Sequence, residues 1–289
     1  MRNNTTEEGT ACPATLLRLL YGTAWKSENT KQLVCEAVRA GLRAFDTAAQ
    51  PKHYREDLLE AAIRSVIETD AIPQGELWLQ TKFTPSTCQD PKNIPYDPTT
   101  PLQVQVITSV ANSLKNLNHD PSPADPTSHA YLDCLILHAP LRNPESTLEV
   151  WDYISSLVPH PVRHLGISNV SLPMLELLYE HMRVKPSIVQ NAFHGGRGYD
   201  VELRAFCKDK GITYQGFWVL KKNASLLQSL PVKAFALWAI LDGNTNSERM
   251  LAGVEGLDKV REFSNRSAND EVVENWVKQL EDAIRSGRE

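Results

Sequence analysis

The stretch LDCLILH, residues 132–138, decides the fold, because a nearly continuous apolar run ends there in a histidine. A short run of this kind is typical of a strand that is buried on both faces of a parallel sheet. Parallel strands need long crossover connections, which are usually helices, so we expect helical segments on both sides of it.

Strand-like runs and helical patterns alternate outward from that stretch. Apolar residues at helical spacing predict a helix over Lys31–Ala40, and Gly41 is the glycine expected just past its end. The other predicted helices are Leu58–Ile67, Val104–Leu117 and Val150–Val158, with three more beginning at Pro173, Val201 and Ser247. The predicted strands are Leu19–Gly22, Leu42–Phe45, Leu77–Gln80, Leu132–Leu137, Val162–Ile167, Ser187–Val189, Ile212–Phe217 and Ala236–Leu241. This alternation predicts an α/β fold with a parallel sheet, either a closed barrel or an open doubly wound sheet.

Length and composition limit the classes of protein that need to be considered. The 289 residues fit two average domains or one large domain such as an α/β barrel. A hydrophobic content of 42% allows a sizeable core, and a net charge of −5 argues against a nucleic-acid partner. No run of 18 apolar residues occurs and residues 1–10 are polar, so we expect a cytoplasmic protein without a membrane partner.

The cysteine pattern predicts free thiols and no metal site. The chain has five cysteines, an odd number, and no pair has C-x-x-C spacing. They are Cys12, Cys35, Cys88, Cys134 and Cys207. Such spacing suits a reducing compartment.

Two proline-rich segments interrupt the alternation. Pro85–Pro101 contains five prolines and Asn118–His129 contains three. Long loops after barrel strands often contact substrate, but surface insertions also occur without any functional role. Both interpretations stay open for these segments.

Polar side chains follow the apolar runs at the points where the predicted strands end. The residues in these positions are Asp46, Lys82, His138, Ser168, Asn169 and Gln190. The carboxyl ends of barrel strands converge on one face, where the active sites of such barrels lie. We therefore expect a carboxylate, an ammonium and an imidazole to share one small volume.

Each of the charged or titratable residues has an ordinary alternative when it is taken alone. Asp46 could be a helix N-cap, Lys82 a solvated loop lysine and His138 a satisfied core histidine. Three such residues at the ends of three apolar strands together favour a site.

The set suits hydride transfer to a carbonyl group. A hydride that reaches a carbonyl carbon leaves an alkoxide, which needs a proton donor. A tyrosine hydroxyl can donate that proton if its pKa falls from about 10 towards neutrality, and a neighbouring ammonium favours the fall. Tyr54 follows closely after Asp46, and Lys82 supplies the ammonium. In this interpretation Asp46 holds Lys82 in place and His138 orients the carbonyl.

Six motifs in chain order resemble the aldo-keto reductase superfamily. They are LLYGTAWK at 19–26, GLRAFDTAAQPKHY at 41–54, LQTKF at 79–83, LILHAPL at 135–141, GISN at 166–169 and PSIVQNAFH at 186–194. The resemblance implies one TIM (β/α)8 barrel domain over residues 1–289. Residues Gln50–His53 before Tyr54, and the loop at 89–102, look like features of a fungal subgroup.

The resemblance also implies roles for individual residues. It implies a catalytic tetrad of Asp46, Tyr54, Lys82 and His138, in which Tyr54 is the general acid and Lys82 modifies its pKa. The residues implied to bind the cofactor are Gly22, Thr23, Trp25, Asp46, Ser168, Asn169, Gln190, Phe217 and Arg249.

Within that second set the implied contacts differ. Ser168, Asn169 and Gln190 match the positions that hold the nicotinamide carboxamide, and Phe217 matches the aromatic residue stacked on the ring. The ordinary alternative for Phe217 is a plain core residue, and Trp25 could equally be a structural aromatic.

The chain departs from the family pattern after Phe217. A complete βαβ unit takes about 30 or more residues, and Pro231 divides the only helical stretch before the last predicted strand. We therefore expect the β7–α7–β8 region to be shortened, with most of the seventh helix missing.

The segment LDGNTNSERM at 241–250 aligns with the phosphate-binding segment of the family. Arg249 keeps the arginine that meets the adenosine phosphate, whereas Gly243 stands where many members carry a lysine. A helix that begins at Ser247 would aim its positive end at a phosphate. One remaining basic ligand favours NADP, with NAD possible, although Arg249 could also be a solvated helix residue.

These features favour an NADP-dependent oxidoreductase that reduces a small-molecule aldehyde or ketone and is a monomer or weak homodimer. The runner-up is a repurposed barrel in fungal secondary metabolism that performs non-redox acid–base chemistry, as an isomerase, dehydratase or cyclase. The altered region after Phe217 supports it. Two further alternatives are a binding subunit without catalysis and a gene prediction that lost an exon.

Overall fold

A computed structural model describes residues 19–118, 130–223 and 239–286. Within them, eight parallel strands form a closed barrel in sequence order, and the last strand pairs with the first. The strands are β1 (Leu19–Gly22), β2 (Ala44–Asp46), β3 (Trp78–Phe83), β4 (Leu132–Leu137), β5 (Val162–Ser168), β6 (Ile188–Ala192), β7 (Thr213–Phe217) and β8 (Ala239–Asp242). The predicted TIM barrel is confirmed, and the open sheet is excluded.

Helices surround the barrel. In the described ranges the α-helices are α1 (Thr30–Arg39), α2 (Glu56–Asp70), α3 (Leu102–Asn116), α4 (Pro144–Ser155), α5 (Leu172–His181), α6 (Val201–Asp209), α7 (Val219–Lys222), α8 (Ser247–Ser264) and α9 (Asp270–Arg285). None of them is long and apolar enough to cross a bilayer.

The ends of strands β2 and β3 exclude the ordinary alternatives for Asp46 and Lys82. β2 includes Asp46, and the next α-helix begins only at Glu56, so Asp46 is not a helix N-cap. β3 continues to Phe83, so Lys82 is a strand residue with 1% of its surface exposed and not a solvated loop lysine.

Helix α4 begins six residues earlier than the predicted Val150, at Pro144. The side chain of Asn143 accepts a hydrogen bond from the backbone N–H of Ser146 at 2.8 Å, which caps the helix. Proline at the first helical position has no N–H to leave unsatisfied, so it suits this start. Helix α9 was not predicted at all.

The barrel interior changes from apolar to polar along the strands. An apolar cluster fills the lower part, and its members include Ala44 on β2 and Ile188 on β6. Because strand side chains alternate with a period of two, Asp46 and Gln190 lie above these residues on the same face. Buried polar groups are costly unless they are hydrogen-bonded, so this upper layer has to satisfy its own polar atoms.

A buried carboxylate on helix α2 is hydrogen-bonded to strand β3 from outside the barrel. Glu56 at the start of α2 accepts hydrogen bonds from Thr81 Oγ1 at 2.6 Å and from Ser113 Oγ at 2.8 Å. These bonds join α2 and α3 to the strand that carries Lys82. Burial raises the pKa of Glu56, and the three side-chain hydrogen bonds it receives act against that rise.

Several sequence-based expectations fall outside the described residues. The connection from β7 to β8 begins with the four-residue helix α7, and residues 224–238 lie outside the described ranges. The expected loss of most of the seventh helix and the part of the predicted eighth strand before Ala239 therefore lie there. Residues 119–129, which form most of the second proline-rich segment, also lie outside the described ranges, and so does Cys12.

Gly166 on β5 provides a test of barrel packing. A Cβ on Gly166 would lie 3.0 Å from the Cβ of Ile188 and 3.1 Å from Cγ1 of Ile136. We expect Gly166→Ala to lower the free energy of unfolding by about 1–3 kcal/mol, measured by urea unfolding, because a packed core has no room for the methyl group.

The control for this variant is Gly256→Ala. Gly256 lies inside α8, and beyond its own stretch of helix no atom of the described residues lies within 4 Å of the place that its methyl group would take. Alanine there should therefore stabilise the helix by about 0.5–1 kcal/mol. Equal stability of Gly166→Ala and the parent protein would show that the strands around β5 are not tightly packed.

Candidate active site

A cavity of about 1270 Å³ opens at the carboxyl end of the barrel. It reaches from Tyr54 and His138 at one end to Arg249 on helix α8 at the other. The strand pairing brings the carboxyl ends of neighbouring strands together at this cavity. Gly22, Asp46 and Gln80, for example, are register partners across β1, β2 and β3. Pockets for small ligands are usually about 300–1,000 Å³, so this one has room for a large ligand.

An ion pair lies beneath the cavity. Lys82 Nζ donates to Asp46 Oδ2 at 2.5 Å and to the backbone oxygen of Thr47 at 2.8 Å. Both charged side chains are 1% exposed. Burial lowers the pKa of Lys82, and Asp46 acts in the opposite direction by attraction and hydrogen bonding.

Tyr54 lies directly beside this pair. Lys82 Nζ is 5.2 Å from the centre of the Tyr54 ring, and the His138 ring centre is 6.2 Å from it. Burial and the charge of Asp46 raise the pKa of Tyr54. This is opposite to the fall expected from the sequence, because desolvation and the carboxylate outweigh the ammonium. The hydroxyl therefore keeps its proton at neutral pH.

His138 follows β4 and is held by its neighbours on both sides. Its Nδ1 lies 2.7 Å from Thr84 Oγ1, and its backbone oxygen accepts from Asn169 Nδ2 at 3.0 Å. Burial, with the charge of Lys82 as a second cause, lowers the pKa of His138 to about 3. The ring is therefore neutral at physiological pH, and it lines the cavity instead of being enclosed in the core.

Three of the predicted cofactor residues form one polar wall of the cavity. Ser168, Asn169 and Gln190 come from the ends of β5 and β6 and all line it. Ser168 Oγ donates to the backbone oxygen of Gln190 at 2.7 Å, and Asn169 Nδ2 donates to Ser168 Oγ at 3.1 Å. Hydrogen bonds between neighbouring strands therefore fix the wall.

The remaining predicted cofactor residues divide into two groups. Gly22, Trp25, Phe217 and Arg249 line the cavity. Thr23 and Asp46 do not reach its surface: Thr23 is fully buried, and its hydroxyl donates to the backbone oxygen of Asp46 at 3.0 Å. Their place in the structure is to join the ends of β1 and β2.

Two tryptophans at the cavity have unusual backbone conformations. Trp25 has φ 65° and Trp218 has φ 61°, both in the left-handed region. Trp25 is 73% exposed, and its ring lies 3.7 Å from the ring of His53, centre to centre. Left-handed conformations of bulky residues are strained and cluster at functional sites.

The far end of the cavity lies at the start of helix α8. The helix begins at Ser247, as predicted, and Asn246 Oδ1 accepts from the backbone N–H of Arg249 at 2.9 Å. Lys26 Nζ donates to the backbone oxygen of Gly243. A cation from the β1 loop therefore lies beside the position where the family pattern has a lysine.

The first proline-rich loop has a supporting position. Tyr96 donates its hydroxyl to the backbone oxygen of Thr84 at 2.7 Å, and Gln89 Nε2 donates to that of Ala49 at 2.7 Å. No residue of the loop is among the described residues that line the cavity. The loop supports the backbone around the mouth instead.

Several residues near the site were not predicted from the sequence. Lys26 and His53 line the cavity, and the buried Gln80 and Gln215 lie below it. The period of two along a strand could have found the glutamines, because Gln80 comes two residues before Lys82 and Gln215 two before Phe217.

Comparisons with known proteins identify the family of this chain. The sequence model of the aldo/keto reductase family matches residues 19–228. An NAD(P)H-dependent 6'-deoxychalcone synthase from Glycine max is 25% identical over 68% of this chain and 60% of its own length. A D-galacturonate reductase from Fragaria ananassa is 27% identical over 64% of this chain and 55% of its own length. The chain thus spans less than two thirds of the length of these relatives.

Solved structures share the fold. An aldo/keto reductase from Brucella melitensis has a TM-score of 0.63 at 21% identity, over 84% of this chain and 93% of that one. An aldose reductase from Schistosoma japonicum has a TM-score of 0.64 at 16% identity, over 90% and 91%. At these identities the likeness concerns the barrel alone.

The lowered pKa of His138 predicts how the stability of the protein depends on pH. An unfolded histidine binds a proton near pH 6.5, whereas folded His138 does so near pH 3. Between these values the unfolded chain holds more protons, so the free energy of unfolding should fall as the pH is lowered from 6.5 towards 3. Urea unfolding across this range should show a smaller fall for His138→Gln. A His138 ring resonance that titrates near pH 6.5 would contradict the prediction.

Proposed function

Because this chain belongs to the aldo/keto reductase family, we propose that it reduces an aldehyde or ketone to an alcohol with a nicotinamide cofactor as hydride donor. The observation that carries the proposal is the position of Tyr54, whose hydroxyl group stays protonated beside the buried Asp46–Lys82 pair at the cavity. A protonated hydroxyl next to a fixed ammonium is what an oxygen that gains negative charge requires.

The side chains have distinct parts in this reaction. Tyr54 donates its proton to the oxygen of the carbonyl group, and Lys82 stabilises the tyrosinate that remains. Asp46 holds the ammonium of Lys82 in place. When the Thr84 hydroxyl donates to Nδ1 of His138, the neutral ring keeps its proton on Nε2, which can then donate to the carbonyl oxygen and orient it.

The cavity fits a nicotinamide dinucleotide. Ser168, Asn169 and Gln190 offer hydrogen-bonding groups to the carboxamide near Tyr54, and Phe217 lies on the same surface. At the opposite end, Arg249 provides a cation for phosphate, and the N-terminus of α8 provides the positive end of the helix dipole. Bound in this way, the cofactor supplies the hydride.

Arg249 favours NADP over NAD within the proposal. An arginine pairs well with phosphate, and NADP has one phosphate group more, on its adenosine ribose. Lys26, in contrast, is held at Gly243 O on the barrel side of the same cavity. We expect the discrimination between the two cofactors to depend on Arg249.

We further propose that the enzyme is cytoplasmic and belongs to a fungal-type secondary metabolism. The residues inserted before Tyr54 and the loop at 89–102 support this. The inserted turn is built into the mouth, since Gln50 Nε2 donates to the backbone oxygen of Cys88 at 2.7 Å. The second candidate is non-redox acid–base chemistry at Tyr54, which the Gly243 position favours. The two candidates differ in whether a nicotinamide cofactor binds.

Cofactor binding should depend on Arg249 in a selective way. Quenching of tryptophan fluorescence by NADPH and NADH measures both affinities, because Trp25 and Trp218 line the cavity. We expect Arg249→Met to weaken NADPH binding by roughly tenfold or more and to leave NADH binding within about twofold, since a charge-assisted hydrogen bond is lost only for NADPH.

The control is Arg261→Met, in the last turn of the same helix. It should change neither affinity. If the parent protein shows no saturable quenching with either nucleotide, the reductase proposal fails and the non-redox candidate remains.

Carbonyl reduction should depend on Tyr54. With a panel of aldehydes and ketones, Tyr54→Phe should lower kcat by roughly 10²–10⁴-fold, because the proton donor is removed, while the Kd for NADPH changes by less than about twofold. Tyr153→Phe on α4, whose hydroxyl donates to Glu149 Oε1 away from the cavity, should behave like the parent protein. Unchanged turnover in Tyr54→Phe would exclude this residue as the acid.

A further inference from the structure

The two carboxylate oxygens of Asp46 have different partners. Oδ2 accepts a hydrogen bond from Lys82 Nζ at 2.5 Å. Oδ1 accepts from Gln80 Nε2 at 2.7 Å and from Gln190 Nε2 at 3.0 Å. Amide groups therefore compensate the charge on one oxygen, and the ammonium compensates the charge on the other.

Gln80 acts on this carboxylate from inside the barrel. It comes two residues before Lys82 on β3, so the two side chains lie on the same face of the strand. Gln80 is fully buried and is not among the described residues that line the cavity. A ligand in the cavity therefore meets Gln80 only through other side chains, of which Asp46 is one.

A second glutamine on the opposite side of the barrel holds this amide. Gln215 belongs to β7, which is four strands away from β3 in the closed sheet of eight. Gln80 Nε2 donates to Gln215 Oε1 at 2.9 Å, and Gln215 Nε2 donates back to Gln80 Oε1 at 3.2 Å. The indole N–H of Trp78 also donates to Gln80 Oε1, at 3.1 Å. All three side chains belong to residues that are at most 3% exposed.

These partners allow the Gln80 amide only one orientation. An indole N–H can only donate, and an ionised carboxylate can only accept. Gln80 must therefore place its oxygen towards Trp78 and its nitrogen towards Asp46. A turned amide would set its oxygen against the carboxylate and its N–H groups against the indole N–H, which leaves buried polar groups unpaired at a cost.

The number of donors on Asp46 affects how far Lys82 can serve another group. A buried carboxylate with too few donors has to draw more of its compensation from the ammonium. The Gln80 amide supplies part of that compensation, so more of the attraction of Lys82 reaches Tyr54, whose ring centre is 5.2 Å from Nζ. The oxygen of Tyr54 becomes negative when it gives up its proton, and it then needs that attraction.

We infer that Gln80 and Gln215 are positioning residues for the proton transfer from Tyr54. They complete the donors of Asp46 from below, and they thereby leave the ammonium of Lys82 available to the tyrosinate. This inference rests on the proposed function and goes beyond it, because it gives a part in the reaction to side chains that do not reach the cavity.

The ordinary alternative is that the two glutamines only satisfy each other and stabilise the barrel. A substitution would then lower the free energy of unfolding without altering the turnover of the folded enzyme. The two explanations therefore differ in kcat, measured per folded molecule.

Gln80→Met removes the amide and keeps a side chain of similar length. With NADPH and the aldehyde or ketone that the parent protein reduces fastest, we expect kcat to fall roughly three- to tenfold, because a hydrogen bond to the buried carboxylate is lost. The Kd for NADPH and the KM for the carbonyl compound should change by less than about twofold, since neither ligand touches Gln80.

Gln215→Met is the second variant. It removes the side chain that holds Gln80 in place and leaves every donor of Asp46 present. We expect it to lower kcat by about two- to fivefold with the same unchanged Kd and KM, because the Gln80 amide is then less firmly oriented. It keeps the inference testable if Gln80→Met does not fold.

A double-mutant cycle tests whether Gln80 acts through Asp46. In Asp46→Asn the carboxylate charge is gone, so the addition of Gln80→Met should lower the rate of reduction by less than about twofold. Single-turnover measurements with the enzyme in excess give this rate for slow variants as well. A loss as large as in the parent background would overturn the inference.

Gln105→Met is the matched control. Gln105 is a buried glutamine on α3, and its amide donates to the backbone oxygens of Pro98 and Thr100. The substitution should lower the free energy of unfolding and leave kcat unchanged, so the merely structural effect of losing a buried amide is recognised.

The outcomes separate the inference from the function on which it rests. If the parent protein binds no nicotinamide nucleotide or reduces no carbonyl compound, the proposed function fails and the inference with it. If the parent protein is active and the folded Gln80→Met and Gln215→Met variants match its kcat, only the inference is overturned. A change in KM alone also overturns it.

Discussion

The ion pair between Asp46 and Lys82 lies in the interior of a barrel, and the rest of the mouth is arranged around it. Both side chains are almost fully buried, so protein atoms have to satisfy both charges. Thr47 provides a backbone oxygen for the ammonium, while Gln80 and Gln190 provide amide donors for the carboxylate. Removing one partner of a buried pair costs roughly 3–5 kcal/mol because the other charge is left uncompensated. The pair therefore constrains which residues can occupy the neighbouring strands.

The closed parallel barrel makes this arrangement possible. Parallel register places the ends of β2, β3, β5 and β6 at one height, so residues far apart in sequence form one layer. Asp46 and Gln190, for example, are 144 positions apart and hydrogen-bonded. The apolar plug below that layer, with Trp78 as its largest side chain, separates the polar mouth from the opposite end of the barrel.

The sequence predicted the barrel and most of the residues around its mouth, because both depend on local patterns in chain order. The strands Leu19–Gly22 and Leu132–Leu137 match their predicted limits, since abrupt changes of polarity bound them. Asp46 and Lys82 were expected directly after their strands. They lie within the strands, because their backbones still pair with the neighbouring strands β1 and β4.

What the sequence could not provide was information about partners from distant strands. Gln80 and Gln215 are 135 positions apart, and nothing near either residue indicates the other. The direction of the Tyr54 pKa was predicted wrongly for a related reason: the degree of burial is a property of the assembled mouth. Helix α9 was missed although its apolar face is regular, and the sequence did not show that this face packs on a separate cluster around Phe193 and Tyr199.

The contact between Lys26 and Gly243 couples the side chains that these two positions can hold. The first carbon of any side chain at residue 243 would lie 3.4 Å from Lys26 Nζ and 3.5 Å from the backbone oxygen of Gly22, so it would be in van der Waals contact with the ammonium. The side chain at 243 and the conformation of Lys26 therefore depend on each other, and substitutions at the two positions should show epistasis.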